Sequence, residues 1–220
     1  ITTGNLVFSR AGDGVSGILV DRASLTLATD AHLPYQWVNT ATDYDTAGFP
    51  HYLKFNGTNT TYVTPSIDFT GTDKMTVWAG VTKLSDAATA VVTEFGNFAT
   101  PLNGAFLLAA PASAAPNIGF TSRGTSNAAA NVAGYPAPLS TVATGVGSIS
   151  TDESVFRLNG VQVVTSSSDQ GTGNYSNYPM YIGARAGTSL FLNGRLYSLI
   201  VRGAATSLPQ IEATENLIRK

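Results

Sequence analysis

Between residues 5 and 202 the chain repeats one unit. A short run rich in Val, Ile, Thr, Phe and Tyr is closed off by Gly, Asn, Pro or Ser. Such runs are half-buried strands, and a long series of them closes a core as a sandwich or a barrel. The pattern predicts strands at 5–10, 16–21, 51–55, 60–64, 74–84, 88–96, 104–110, 117–121, 140–149, 154–159, 161–166, 179–185 and 194–202. The plainest local signal is Val155-Phe156-Arg157-Leu158-Asn159-Gly160-Val161-Gln162-Val163-Val164. Asn159-Gly160 supplies the two positive-φ residues of a type I′ hairpin turn, and both arms alternate apolar with polar positions.

Two further strands carry orientation. In Lys74–Leu84, Met75, Val77, Ala79 and Val81 share one face, while Thr76, Trp78, Gly80 and Thr82 share the other. Leu196–Val201 is apolar on nearly both faces and reads as a central strand covered on both sides. One helix is expected at about 207–219. Ser207 and Gln210 have capping-box spacing, and Leu208, Ile211, Leu217 and Ile218 form the expected stripe. The stretch 109–138, rich in Ala, Ser, Asn, Gly and Pro, reads as short strands with long loops.

Composition narrows the function classes. Charged residues make up 12% of the 220, about half the usual share, so Ser, Thr, Asn and Gly must build the surface. Twelve Lys and Arg lie scattered through a chain of net charge −2, which argues against phosphate-neutralising nucleic-acid binding. No run approaches the roughly 18 apolar residues of a membrane helix, so no membrane insertion is expected. With no cysteine, disulfides and thiolate chemistry are excluded.

Two blocks then resemble a known family. The first is Tyr52-Leu53-Lys54-Phe55-Asn56-Gly57, followed by Tyr62-Val63 and Met75-Thr76-Val77-Trp78-Ala79-Gly80-Val81. The second runs from Phe156-Arg157-Leu158-Asn159-Gly160-Val161 through Pro179-Met180-Tyr181-Ile182-Gly183 to Phe191-Leu192-Asn193-Gly194-Arg195-Leu196-Tyr197. Their order and spacing resemble laminin G-like jelly rolls of the concanavalin A-like lectin/glucanase superfamily. The wording of 84–88 and 169–175 is similar to that of bacteriophage structural proteins. The resemblance implies an all-β, two-sheet antiparallel jelly-roll sandwich with one C-terminal helix and one concave sheet. It implies a single domain over residues 1–220, with 1–50 matching less well. It also implies a virion setting, assembled in the bacterial host cytoplasm, as capsid decoration, tail or fibre. Other virion proteins, cell-surface glycans and a second copy of the chain are the expected partners. Fold does not fix function, so the chemistry must come from residues.

Four glutamates are present: Glu94, Glu153, Glu212 and Glu215. None forms the paired arrangement that glycoside hydrolysis requires, and Glu94 reads as a strand-edge carboxylate. His32 and His51 have no nucleophile elbow near them, so no enzyme is expected. No cofactor is expected either. Asp43–Gly48 lacks most of a calcium loop, though the resemblance leaves room for a calcium ion held at the rim by distant loops. The best local constellation suits a sugar: an aromatic face beside planar amide and guanidinium groups. Asn174, Tyr175, Asn177 and Tyr178 form a polar-aromatic loop, Arg185 follows, and Trp78 is the candidate platform on the concave sheet. The alternative is a purely structural assembly domain with no glycan ligand.

Overall fold

The computed structural model describes residues 52–100 and 102–219. The strands predicted at 5–10 and 16–21, together with His32, Asp43–Gly48 and His51, lie outside the described residues, and Tyr52–Lys220 form one compact unit. Twelve strands are described. They are β1 (Leu53–Asn56), β2 (Tyr62–Asp68), β3 (Lys74–Lys83), β4 (Val91–Phe95), β5 (Ala105–Ala109) and β6 (Asn117–Arg123). Then come β7 (Asn127–Ala133), β8 (Leu139–Ser148), β9 (Glu153–Leu158), β10 (Val161–Ser166), β11 (Asn177–Ile182) and β12 (Asn193–Arg202). Helix α1 (Leu208–Ile218) follows.

The strands form two six-stranded antiparallel sheets. Sheet I has the order β1-β12-β3-β8-β9-β10, and sheet II has the order β2-β11-β4-β5-β6-β7. Chain neighbours such as β2 and β3 fall in different sheets, as a jelly roll requires. The core fills the space between the sheets. Met75, Val77, Ala79, Val81, Phe156 and Leu158 project from sheet I toward Phe95, Phe106, Leu108, Ile118 and Phe120 of sheet II. The predicted face of β3 is therefore the core face. At the rim, Lys83 is 1% exposed and crosses between sheets, bonding Asp86 at 2.5 Å and the Asn117 carbonyl at 2.9 Å.

The Asn159-Gly160 turn has the expected positive φ values, 51° and 88°. Gly183, the glycine of the Tyr181-Ile182-Gly183 motif, is needed twice over. Its φ is +82°, and a Cβ there would stand 2.0 Å from Phe55 Cε1. Gly183→Ala is expected to cost about 2–3 kcal/mol, from left-handed strain plus overpacking of a buried ring. Denaturant unfolding checks it, and a loss below about 0.5 kcal/mol would contradict the packing described.

Three local expectations are corrected. Strand β7 falls in the Ala- and Asn-rich stretch read as short strands with long loops, at a place where the sequence pattern predicts no strand. Ala and Asn are poor strand formers in general, but Ala128, Ala130 and Val132 pack inward while Asn127, Ala129 and Ala133 stay exposed. Strand β12 is interior as expected, between β1 and β3, but it is not covered on both faces: Ile200 is 38% exposed. On α1 the inward stripe is the buried Ile211 and Glu215 with the half-buried Ile218. Leu208 and Leu217 are exposed, because spacing i, i+4, i+7 and not hydrophobicity chose the face. The capping box is formed, with the Ser207 N–H donating to Gln210 Oε1 at 3.1 Å.

Candidate functional site

Helix α1 decides which sheet face is available. It packs on the outer face of sheet I, where Ile218 meets Gly80 and Glu215 meets Arg157. Trp78 is on that face, between Thr76, whose hydroxyl bonds Thr206 at 3.0 Å, and Gly80. It is 2% exposed, so its ring offers no face to a sugar. That corrects the platform expectation: Trp78 is buried on the face that α1 packs against.

The aromatic loop also has a different role. Tyr175 is 1% exposed, and its hydroxyl shares a 2.7 Å hydrogen bond with Ser122 inside the sandwich. Burial pushes this phenol well above its ordinary pKa. The Tyr178 ring lies 5.6 Å from that of Phe95, and its hydroxyl donates to the Asn103 carbonyl at 3.2 Å. Asn174 donates to the Thr70 carbonyl at 2.7 Å. These three residues fasten a loop to its neighbours. Asn177 and Arg185 remain as candidates, both on the sheet II side and accessible to solvent.

The outer face of sheet II carries no described helix. Strand register builds one row across all six strands: Val63, Tyr181, Glu94, Leu107, Thr121 and Ala129. Phe95 and Phe106 point into the core, so alternation sends Glu94 and Leu107 outward. Tyr181, Leu107 and Thr121 are half-buried, and Val63 is exposed.

Glu94 is the anchor of this face. Instead of lying at a strand edge, it sits on an interior strand with its side chain 0% exposed. Its Oε1 accepts the Ala186 N–H at 2.7 Å, and its Oε2 faces Arg185 Nε at 3.4 Å. Burial raises its pKa above the ordinary value, partly offset by Ala186, Arg185 and Phe98. The carboxylate thus fixes the turn after β11 and holds the Arg185 side chain, which keeps 22% exposure. Arg123 stands nearby at the end of β6. Its Cζ lies 4.0 Å from the Phe98 ring centroid, Nη1 donates to the Thr100 carbonyl at 3.1 Å, and Nε bonds Asn127 Oδ1. Asn103, Arg123, Thr125, Ser126 and Asn127 line a polar recess of about 130 Å³ beside it.

Sequence reasoning missed Glu94, Arg123 and Tyr181. One signal was present. Val91-Val92-Thr93-Glu94-Phe95 places a carboxylate inside an otherwise apolar strand, where an unpaired charge is costly, so a partner was implied. Among the described residues, no group of three or more His, Asp or Glu could hold a metal ion.

No protein-family model matches the chain, and no curated protein matches it. Solved structures do. The CBM40 of a Ruminococcus gnavus IT-sialidase, bound to α2,3 sialyllactose, matches with TM-score 0.51 and 13% identity, over 70% of this chain and 98% of that one. A heptameric SAP-like pentraxin from Limulus polyphemus matches with TM-score 0.56 and 15% identity, over 74% and 80%. Domains LG4-5 of the mouse laminin α1 chain match with TM-score 0.51 and 13% identity, over 69% and 41%. The chain has the lectin-like jelly-roll fold. At these identities the likeness concerns the fold, and the laminin domains carry the architecture that the sequence motifs resemble. Sialidases are also among the similar structures, for example NanB of Streptococcus pneumoniae, of which this chain covers 27%.

Proposed function

We propose that this chain is a non-catalytic glycan-binding module that receives a saccharide on the outer face of sheet II. The observation that carries the reading is the Glu94–Arg185 pair. A fully buried carboxylate orients a partly exposed guanidinium on a helix-free sheet face, beside a half-buried tyrosine ring. Sugars are held by such a combination of an aromatic surface and planar charged groups that bond neighbouring hydroxyls. The structurally similar CBM40, seen with α2,3 sialyllactose, supports a glycan as the ligand. Glu94 is poorly suited to acid–base work on a sugar. Its oxygens are taken up by Ala186 and Arg185, and no second carboxylate is among the groups acting on it, whereas hydrolysis needs two.

The resemblance of 84–88 and 169–175 to phage structural proteins supports a virion setting, in which residues 1–220 act as one displayed domain. A glycan array run with calcium and repeated with chelator tests the binding reading. Binding is expected to survive chelator and to fall by about tenfold or more in Arg185→Ala, since a charge-assisted contact contributes about 1.5–3 kcal/mol. Silence of the wild-type protein on a broad array would overturn it. The second reading, an assembly domain, is favoured by exposed Leu53, Tyr62 and Val63 on β1 and β2, which are edge strands among the described residues. Unpaired edges with apolar side chains are surfaces that other chains can join.

A further inference from the structure

Arg123 is held in place by groups that carry no charge. It closes the β6–β7 ladder opposite Asn127, and the hairpin turns through Gly124-Thr125-Ser126. Alternation sends its side chain to the outer face of sheet II, because Ile118, Phe120 and Ser122 are buried and Ser122 reaches Tyr175 inside the sandwich. Three contacts then fix the guanidinium. Its Nε donates to Asn127 Oδ1 across the hairpin, its Nη1 donates to the Thr100 carbonyl at 3.1 Å, and its Cζ stands 4.0 Å from the Phe98 ring centroid. Among the described residues Arg123 has no ion pair.

The recess beside it offers donors and no carboxylate. Asn103, Thr125, Ser126 and Asn127 complete its lining. Arg123 Nη2 and the Ser126 hydroxyl have no hydrogen-bond partner among the described residues. Because Nε can only donate, Asn127 turns its oxygen to Arg123 and keeps its amide Nδ2 free. Such a set matches the oxygens of an anion, and a guanidinium already fixed in place loses little freedom on binding one. At about 130 Å³ the recess is well below the roughly 300–1,000 Å³ of a cleft that engulfs a whole small molecule. A substituent fits there, with the sugar ring itself left on the sheet. Thr121, a member of the six-strand row, stands two residues before Arg123 on the same strand and face, about 7 Å away.

We infer that the recess at the tip of the β6–β7 hairpin is an oxyanion site that takes the carboxylate or sulfate substituent of a saccharide lying along the sheet II row. This rests on the glycan-binding reading above. Arg123 Nη2, Asn127 Nδ2 and the Ser126 hydroxyl supply the donors, while the sugar ring stays over Thr121 and Leu107. The module therefore discriminates acidic from neutral forms of one glycan backbone.

Sodium sulfate titrated into the ¹⁵N-labelled full chain, against sodium chloride at equal ionic strength, is the first test. Saturable shifts specific to sulfate are expected at the Arg123 side-chain Nε–H and at the Gly124, Ser126 and Asn127 amides. Arg123→Gln should weaken sulfate binding by about tenfold or more, the loss of one charge-assisted contact. Ser126→Ala, a change at an exposed hydroxyl, should weaken it about threefold and leave the fold intact. Absence of sulfate-specific shifts, or either variant binding sulfate like wild type, would overturn the site. Neutral, carboxylated and sulfated forms of one oligosaccharide backbone supply the second arm and separate sulfate from carboxylate. An acidic form is expected to bind about tenfold or more tighter than the neutral one, and Arg123→Gln should erase that preference. Equal binding of acidic and neutral forms would sink the inference and leave the glycan reading standing. Sulfate binding at the recess without any saccharide binding would sink the glycan reading and leave an inorganic-anion site.

Discussion

Trp78→Ala is expected to lower the unfolding free energy by about 3–5 kcal/mol, the range for truncating a buried Trp, and to leave glycan affinity unchanged in the folded fraction. The side chain is 2% exposed on the outer face of sheet I, beneath the segment that leads into and forms α1. Its role is to fill the space between helix and sheet. Trp78→Phe should cost much less. The indole Nε1–H is buried with no acceptor among the described residues, so removing it relieves an unsatisfied donor while most of the apolar volume stays. Thermal or denaturant unfolding and one binding isotherm per variant check both statements. A stable Trp78→Ala protein that no longer binds glycan would return Trp78 to the ligand site.

Glu215→Ala is expected to cost a similar amount, about 3–5 kcal/mol, the loss seen when one partner of a buried ion pair is removed. Arg157 donates through Nε to Glu215 Oε1 at 2.9 Å and through Nη2 to Oε2 at 3.2 Å, with both side chains nearly inaccessible. Hydrogen bonding to Glu215 raises the Arg157 pKa. An arginine stays protonated even without that partner, so Glu215→Ala leaves a buried guanidinium without its main counter-ion. Glu212, 3.6 Å away and half exposed, replaces little of the lost interaction. The double replacement Arg157→Met with Glu215→Leu should recover most of the stability, because a packed apolar pair carries no desolvation cost. Unfolding curves of the single and double variants decide this. A single variant within about 0.5 kcal/mol of wild type would mean that α1 is held by Ile211 and Ile218 instead.

Both variants probe the level at which the sequence was legible and the level at which it was not. The two-sheet sandwich, the β9–β10 hairpin, the core face of β3 and the capping box of α1 each follow from local periodicity or turn chemistry. The face that α1 covers does not. Whether Trp78 is a platform or a filler depends on where a helix more than a hundred residues later comes to rest. The same limit applies to the aromatic loop. Tyr175 and Tyr178 look like ligand-facing residues by composition, yet partners on distant strands and loops, Ser122 and Asn103, draw them inward. Arg185 alone was legible as a charged group near the loop. The carboxylate that positions it, Glu94, is some ninety residues away in the chain and joins it through the β4–β11 pairing.

The central claim is that saccharides meet sheet II and not the helix-covered sheet I. Backbone amide shifts of the ¹⁵N-labelled full chain, titrated with the strongest glycan from the array, test it most directly. The account predicts saturable shifts at Tyr181, Arg185, Ala186, Leu107 and Phe98, with the α1 side silent. Shifts centred on Gly80, Val142, Tyr197 and Arg219, which line a recess of about 250 Å³ beside α1, would contradict it.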